Sequence, residues 1–244
     1  MQTIELNQTN IYQGPLILVN DKYQYQSQNH LVKYKNHYMC QEVSKLLNVI
    51  YKKLNIHQDI SLVSCYRTHE EQQNIYQNSL MENGKEYTQK YVALPHCSEH
   101  ETGLAIDLAL TKENIDFICP DFPNSGICQQ FRELSYQYGF IERYQKDKEE
   151  ITHIAYEPWH FRYVGYPHSM IMKENHLCLE EYHQFIKQFS LYNPYTYVSG
   201  SRIIEIFYVP LTSSQTLCLK DNVYYQISGN NIDGAIITTW RMCL

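Results

Sequence analysis

Apolar positions along the chain switch between two periods. Met39, Val43, Leu46, Leu47, Ile50 and Leu54 recur at helical spacing and predict one buried helix face over roughly residues 37 to 56. Ile60-Ser61-Leu62-Val63-Ser64-Cys65 then reads as a short strand. Thr68 with Glu71 three residues later has the reciprocal capping pattern that starts a helix at about 69, which puts Arg67 on a strand-to-helix turn. Residues 103 to 110 form a nearly continuous apolar run interrupted by a single carboxylate, Asp107, and read as a buried strand. A helix is expected near 126 to 138, ending at Gly139. Phe140 to Tyr144 and Phe161 to Val164 have the aromatic and β-branched content of strands. A helical stretch is expected near 179 to 190. Beyond about 201 come three short strand patterns, Ile203 to Val209, Tyr224 to Ser228 and Ala235 to Trp240. The last two are joined by Gly229-Asn230-Asn231-Ile232-Asp233-Gly234, a hairpin loop by its turn chemistry. The texture divides the chain into a main domain, 1–194, and a small β appendage, 195–244.

The 244 residues suffice for one full core, and 43% apolar with 19% charged residues is the composition of a folded chain. A net charge of −6 argues against nucleic acid as a partner, since binding phosphates needs a surplus of Lys and Arg. No stretch reaches the length of an apolar membrane span, and the first residues lack the basic and apolar regions of a secretory signal, so the expected location is cytoplasmic. The eight cysteines, Cys40, Cys65, Cys97, Cys119, Cys128, Cys178, Cys218 and Cys243, are irregularly spaced with no CxxC pair. They are read as mainly reduced thiols, several of them small buried residues.

Two clusters complement one another: Ser98-Glu99-His100-Glu101-Thr102-Gly103-Leu104-Ala105-Ile106-Asp107 and Glu157-Pro158-Trp159-His160-Phe161-Arg162-Tyr163-Val164-Gly165. Catalytic zinc takes three nitrogen or oxygen ligands and keeps a fourth position for water. His100, Asp107 and His160 meet that count, and Glu157, three residues before a candidate ligand, is the carboxylate available for proton transfer. Taken singly, a buried Asp is more often a hydrogen-bonded structural group, and a loop His a solvated one. The joint pattern S-x-H-x-x-G-x-A-x-D followed by E-x-W-H-x-R-Y-V-G is what carries the reading. His96, Cys97 and His153 are read as supporting or incidental, Trp159 and Tyr163 as wall and core, and Pro120 to Gly126 as loop and part of a lid.

At these residues the sequence resembles the VanY and VanXY zinc D,D-peptidases, in the larger group that includes lysostaphin-type enzymes and the hedgehog signalling domain. The resemblance extends to Ser64-Cys65-Tyr66-Arg67-Thr68, where the family usually has S-G-Y-R-S, to Gln72, to Lys90-Tyr91-Val92-Ala93-Leu94-Pro95 and to Gly165-Tyr166-Pro167-His168-Ser169. It is nearest to the bifunctional VanXY type and runs through the C-terminal strands. It implies Zn2+ on His100, Asp107 and His160, proton transfer by Glu157, an oxyanion-stabilising Arg67, and Ser98 and Gln72 as substrate-binding residues. Cys65 and Thr68 depart from the family's Gly and Ser beside Arg67 without changing its charge. The implied substrates are the dipeptide D-Ala-D-Ala and the peptidoglycan pentapeptide precursor. The expected fold is α+β: a small, largely antiparallel sheet bearing the metal ligands, flanked by helices, with the C-terminal strands added. A pure D,D-carboxypeptidase and a zinc-stabilised binding module without turnover are the two rival readings.

Overall fold

The computed structural model describes residues 2–221 and 223–242. The chain opens with strand β1 (Gln2–Leu6) and passes into a hairpin of β2 (Leu31–Tyr34) and β3 (His37–Cys40). Helix α1 (Gln41–Lys53), strand β4 (Ile60–Ser64) and helix α2 (His69–Tyr91) follow. Next come β5 (Ala105–Leu110), α3 (Gly126–Ser135), β6 (Phe140–Tyr144), α4 (Glu149–Thr152), β7 (Glu157–Tyr163) and α5 (His168–Glu174). Helix α6 (Leu179–Ile186) leads into β8 (Tyr195–Ser199), β9 (Arg202–Pro210), β10 (Gln215–Leu219), β11 (Tyr224–Gly229) and β12 (Gly234–Met242). The result is the expected α+β class with small antiparallel sheets.

Packing groups these elements into two compact units, Val19–Cys178 and a second made of Met1–Leu18 with Leu179–Leu244. This division differs from the expected boundary at 194/195 for a reason that spacing does not reveal. β1 pairs antiparallel with β10 over Gln2 to Leu6, and the backbone amide of Leu18 donates to the carbonyl of Asn230, so the first eighteen residues belong with the C-terminal strands. Leu179, Tyr182 and Ile186 of α6 are buried, and the Phe189 carbonyl accepts from the backbone amide of Tyr208 in β9. Within this unit β11, β12, β9 and β8 form a four-stranded sheet in that order. Its core includes Ile4, Leu6, Ile11, Phe207, Val209 and Ile237. The expected hairpin loop is organised by one side chain: the Asn230 Oδ1 accepts from the amides of Ile232, Asp233 and Gly234 at 2.9, 3.0 and 3.1 Å.

The larger unit is built on a four-stranded sheet of order β4, β5, β7, β6. Along β5, Ile106 and Leu108 alternate with Ala105, Asp107 and Ala109, so the lone carboxylate lies on the face opposite the two large apolar residues. Phe122, Phe131 of α3 and Phe161 of β7 are buried in edge-to-face contact, with ring centroids 5.1 to 6.0 Å apart. The expected helix over 37 to 56 is shorter. Residues 37 to 40 pair with β2, and the Cys40 amide donates to the Gly103 carbonyl, so α1 begins at Gln41. α2 is interrupted at Gly84, whose φ of 79° a glycine adopts without a Cβ clash. The seven described cysteines are free thiols, five of them buried, while Cys243 lies outside the described residues. Among the described residues no helix is long and apolar enough to cross a membrane. Phe131→Ala should empty the centre of the aromatic cluster and destabilise by about 3–5 kcal/mol, read as a lowered urea midpoint of the larger unit.

Candidate active site

Strand pairing brings the two sequence clusters together. Asp107 in β5 stands directly across from His160 in β7, which places both side chains on one face. Glu157 presents a harder problem, because residues three apart on a regular strand point to opposite faces. The β6–β7 register resolves it. Glu142 faces Phe161 but Tyr144 faces Glu157, so β7 uses two extra residues over that interval. Two extra residues alone keep the pleat parity, so the alternation itself breaks within this irregular stretch: Glu157 pairs with Tyr144, whose ring packs on His160, and its Oε2 lies 3.9 Å from the His160 Nδ1.

His100 lies in a 3-10 turn, Glu99–Thr102, that ends on Gly103 at φ 70°. The left-handed backbone favours glycine there, and a Cβ would also push on the Leu31 side chain at 2.4 Å and crowd the Cys40 amide at 3.3 Å. The turn aims the His100 Nε2 at the Asp107 Oδ2, 3.0 Å away, while its Nδ1 lies 2.6 Å from the Cys65 carbonyl. That carbonyl can only accept, so Nδ1 carries the proton and Nε2 offers a lone pair. His160 is held in the opposite sense. Its Nε2 is 3.3 Å from the Glu99 Oε2 and its Nδ1 is 2.9 Å from the Asp107 Oδ1. The donor atoms of His100, Asp107 and His160 lie within 4.8 Å of one another and all three residues are buried. Two imidazole nitrogens whose other nitrogens are hydrogen-bonded, with one carboxylate, fit a tetrahedral divalent metal with one open position.

Arg67 comes from the turn after β4, where the Thr68–Glu71 capping box starts α2 as its spacing predicts. Three bonds fix its guanidinium: Nε to the Ser64 Oγ at 2.8 Å, Nη1 to the Gln72 Oε1 at 3.3 Å and Nη2 to the Asp107 Oδ2 at 3.0 Å. Gln72 in turn donates to the Ala93 carbonyl at 2.8 Å. Gln72, expected to bind substrate, lines the cleft while its amide bonds to Arg67 and to the loop after α2. Ser98 lines the same cleft, as do Trp159, Tyr144, Phe117 and Ile118.

Burial and charge set the protonation of the site. Burial pushes the Glu157 carboxyl up to about 8. Burial, with the Arg67 cation nearby, lowers His100 to about 4, which favours the neutral imidazole. Burial opposes the charged forms of Asp107 and His160, yet their mutual bond, with His100 beside Asp107 and Glu99 beside His160, keeps the Asp107 carboxyl far below its usual range and raises His160 to about 9.

The structure also places residues that sequence reasoning assigned elsewhere or passed over. Glu99 is fully buried, with its Oε1 2.8 Å from both the Arg143 Nε and the Arg162 Nη1. Burial opposes its charge, but the two guanidinium groups hold the carboxyl well below the ordinary carboxylate range. The available signal was an arginine in each of two strands otherwise suited to burial, since buried cations need a partner. Tyr144 packs on His160 with ring centroids 4.9 Å apart. Cys97 and His153 line a neighbouring groove instead, and His96 stacks on His69. The expected lid, 120–126, is pinned: Phe122 is buried, and the Phe122 and Pro123 carbonyls accept from Arg132. Phe117 and Ile118, just ahead of it, reach the cleft, and the Arg67 guanidinium lies over the Phe117 ring at 5.4 Å.

Comparison with known proteins agrees with this geometry. The bifunctional D-Ala-D-Ala dipeptidase and D-Ala-D-Ala carboxypeptidase VanXYC of Enterococcus gallinarum is 49% identical over 152 residues, 62% of this chain and 80% of that protein. The crystal structure of the vancomycin resistance D,D-dipeptidase VanXYg, in complex with a D-Ala-D-Ala phosphinate analog, superposes with a TM-score of 0.96 at 50% identity, over 98% of this chain and 99% of that one. A vancomycin resistance D,D-pentapeptidase VanY from a VanB-type cassette, solved with Zn(II), gives a TM-score of 0.61 at 32% identity over 69% and 98% of the two chains. The VanY pattern of D-alanyl-D-alanine carboxypeptidases matches residues 33–166, a span that holds every group of the cleft and more than half of the sequence, and the chain belongs to that family.

Proposed function

We propose that this protein is a zinc-dependent D,D-peptidase that hydrolyses D-Ala-D-Ala and removes the terminal D-Ala from peptidoglycan pentapeptide precursors, depleting the target of vancomycin. One observation carries the reading: a buried donor set of His100, Asp107 and His160 shares its cleft with the carboxyl of Glu157, which lies 3.9 Å from the His160 Nδ1 and has its proton affinity raised into the neutral range by burial. The D,D-dipeptidase VanXYg binds a D-Ala-D-Ala phosphinate analog on the same fold, and VanXYC acts as both dipeptidase and carboxypeptidase.

Zinc, when held by His100, Asp107 and His160, supplies a Lewis acid for the scissile carbonyl and acidifies a water. Glu157 accepts the proton of the attacking water and returns it to the departing amine, a double duty suited to a carboxyl near neutral pKa. Arg67 presents a fixed cation to the oxygen that gains charge in the tetrahedral intermediate, while its bond to Asp107 orients that carboxylate. Gln72 acts through Arg67, and Ser98 offers a hydroxyl to the substrate's polar end.

D-Alanine release from D-Ala-D-Ala and from a pentapeptide precursor tests the reading. Zinc-loaded protein should hydrolyse at least one of them, and chelation should abolish the activity. Full zinc occupancy with no release from either would replace catalysis by a binding role. Glu157→Ala should keep its zinc and lose on the order of 10²-fold or more in rate. Arg67→Ala should lose about 10²–10³-fold in kcat. Glu99→Gln should weaken zinc binding by about 10–100-fold in a chelator competition, since it loosens the orientation of His160; unchanged affinity would assign Glu99 to folding alone.

A further inference from the structure

A second constellation of donors lies outside the cleft. His69, in the first turn of α2, and His96, in the loop before Ser98, stack with ring centroids 3.7 Å apart and planes 12° from parallel. Both Nδ1 atoms face one oxygen of Glu101: its Oε2 is 3.6 Å from His69 and 3.8 Å from His96. The other oxygen, Oε1, accepts a 2.7 Å hydrogen bond from the His96 backbone amide, which fixes the carboxylate with Oε2 turned towards the rings. Glu101 is buried, whereas the imidazoles are 43% and 50% exposed and open to an ion from solvent. His96 holds φ at 66°, in the left-handed region that histidine enters more often than most non-glycine residues.

Direct hydrogen bonding does not account for this convergence, because both nitrogen-to-oxygen distances exceed good hydrogen-bond length. They approach the separation of neighbouring ligands around a tetrahedral zinc, roughly 3.3 Å for bonds near 2.0–2.1 Å. All three donor atoms lie within 4.8 Å of one another. A lone pair lies in the plane of its ring, so the two imidazoles must tilt apart to share an ion, and their exposure leaves room for that tilt. Two imidazoles and one carboxylate form a donor set suited to zinc.

We propose that His69, His96 and Glu101 form a second zinc site, distinct from His100, Asp107 and His160, with solvent completing the coordination. The site does not depend on the proposed reaction. Its position gives it a use: His69 lies two residues after Arg67 and Glu101 directly follows His100, so an ion here staples the start of α2 to the turn that presents His100. It is a positioning site, and its exposed ligands exchange zinc more readily than the buried set.

Zinc titration of the full chain, by calorimetry and elemental analysis after equilibrium dialysis, decides the matter. Wild type should take up two equivalents, the His69→Ala/His96→Ala double variant one, and His100→Ala one. In wild type the second equivalent should raise Tm, and in the double variant zinc beyond the first should not. His69→Gln, a polar change at an exposed position, should weaken the second equivalent by about tenfold or more while sparing the first, and it decides the case if the double variant misfolds. A zinc anomalous peak between the three side chains would place the ion. Uptake of a single equivalent by wild type, or a second equivalent that persists unweakened in both His69→Gln and the double variant, overturns the proposal.

Discussion

The buried carboxylate of Glu99 is the constraint on which the rest of the cleft depends. A lone charge at zero exposure costs several kcal/mol, and this one is met at 2.8 Å by Arg143 from β6 and at 2.8 Å by Arg162 from β7. The network ties the turn that carries His100 to both strands. It also takes up the Nε2 of His160, so the other nitrogen of that ring is the one presented to Asp107. Orientation of His160, one of the proposed metal ligands, therefore rests on an ion-pair network entirely within the protein interior.

A second constraint is geometric. The cleft requires Asp107, His160 and Glu157 on one side, while strand pleating permits the first two by direct pairing and forbids the third. An irregular stretch where β7 pairs with β6 breaks the alternation, and the Glu157 carboxyl sits near the His160 Nδ1. On the remaining side, Arg67 links Ser64, Gln72 and Asp107, so one guanidinium joins the strand end, the first turn of α2 and the centre of β5. The carboxylate that serves as a metal ligand in the proposed mechanism is thereby fixed in place by the cation that the same mechanism turns towards the substrate.

Several features were legible because their causes are local. The Thr68–Glu71 box, the strand at Phe140 to Tyr144 and the Asn-rich hairpin loop after β11 each follow from the chemistry of a few adjacent residues. The meeting of His100, Asp107, His160 and Glu157 was legible for a different reason, since two motifs together supply the full donor count of a catalytic zinc and resemble those of the VanY and VanXY peptidases. Residues 37 to 40 misled: Met39 continues the helical spacing of α1, but pairing with β2 and the Cys40–Gly103 hydrogen bond hold the segment extended. The loop at 120–126 has turn composition, yet Arg132 fastens it, and Phe117 and Ile118 line the cleft instead.

The sequence by itself determined the types of β4, α2, β5, α3, β6 and α6, the donor residues and their spacing, because periodicity, capping and side-chain chemistry act over short range. Tertiary structure alone decided that β1 joins the C-terminal strands, that Glu157 sits beside His160 where β7 pairs irregularly with β6, that Glu99 orients His160, and that Gln72 serves Arg67. Each of these depends on which distant groups share a buried space, where an unpaired charge or backbone amide must find a partner, and spacing along the chain carries no record of that choice.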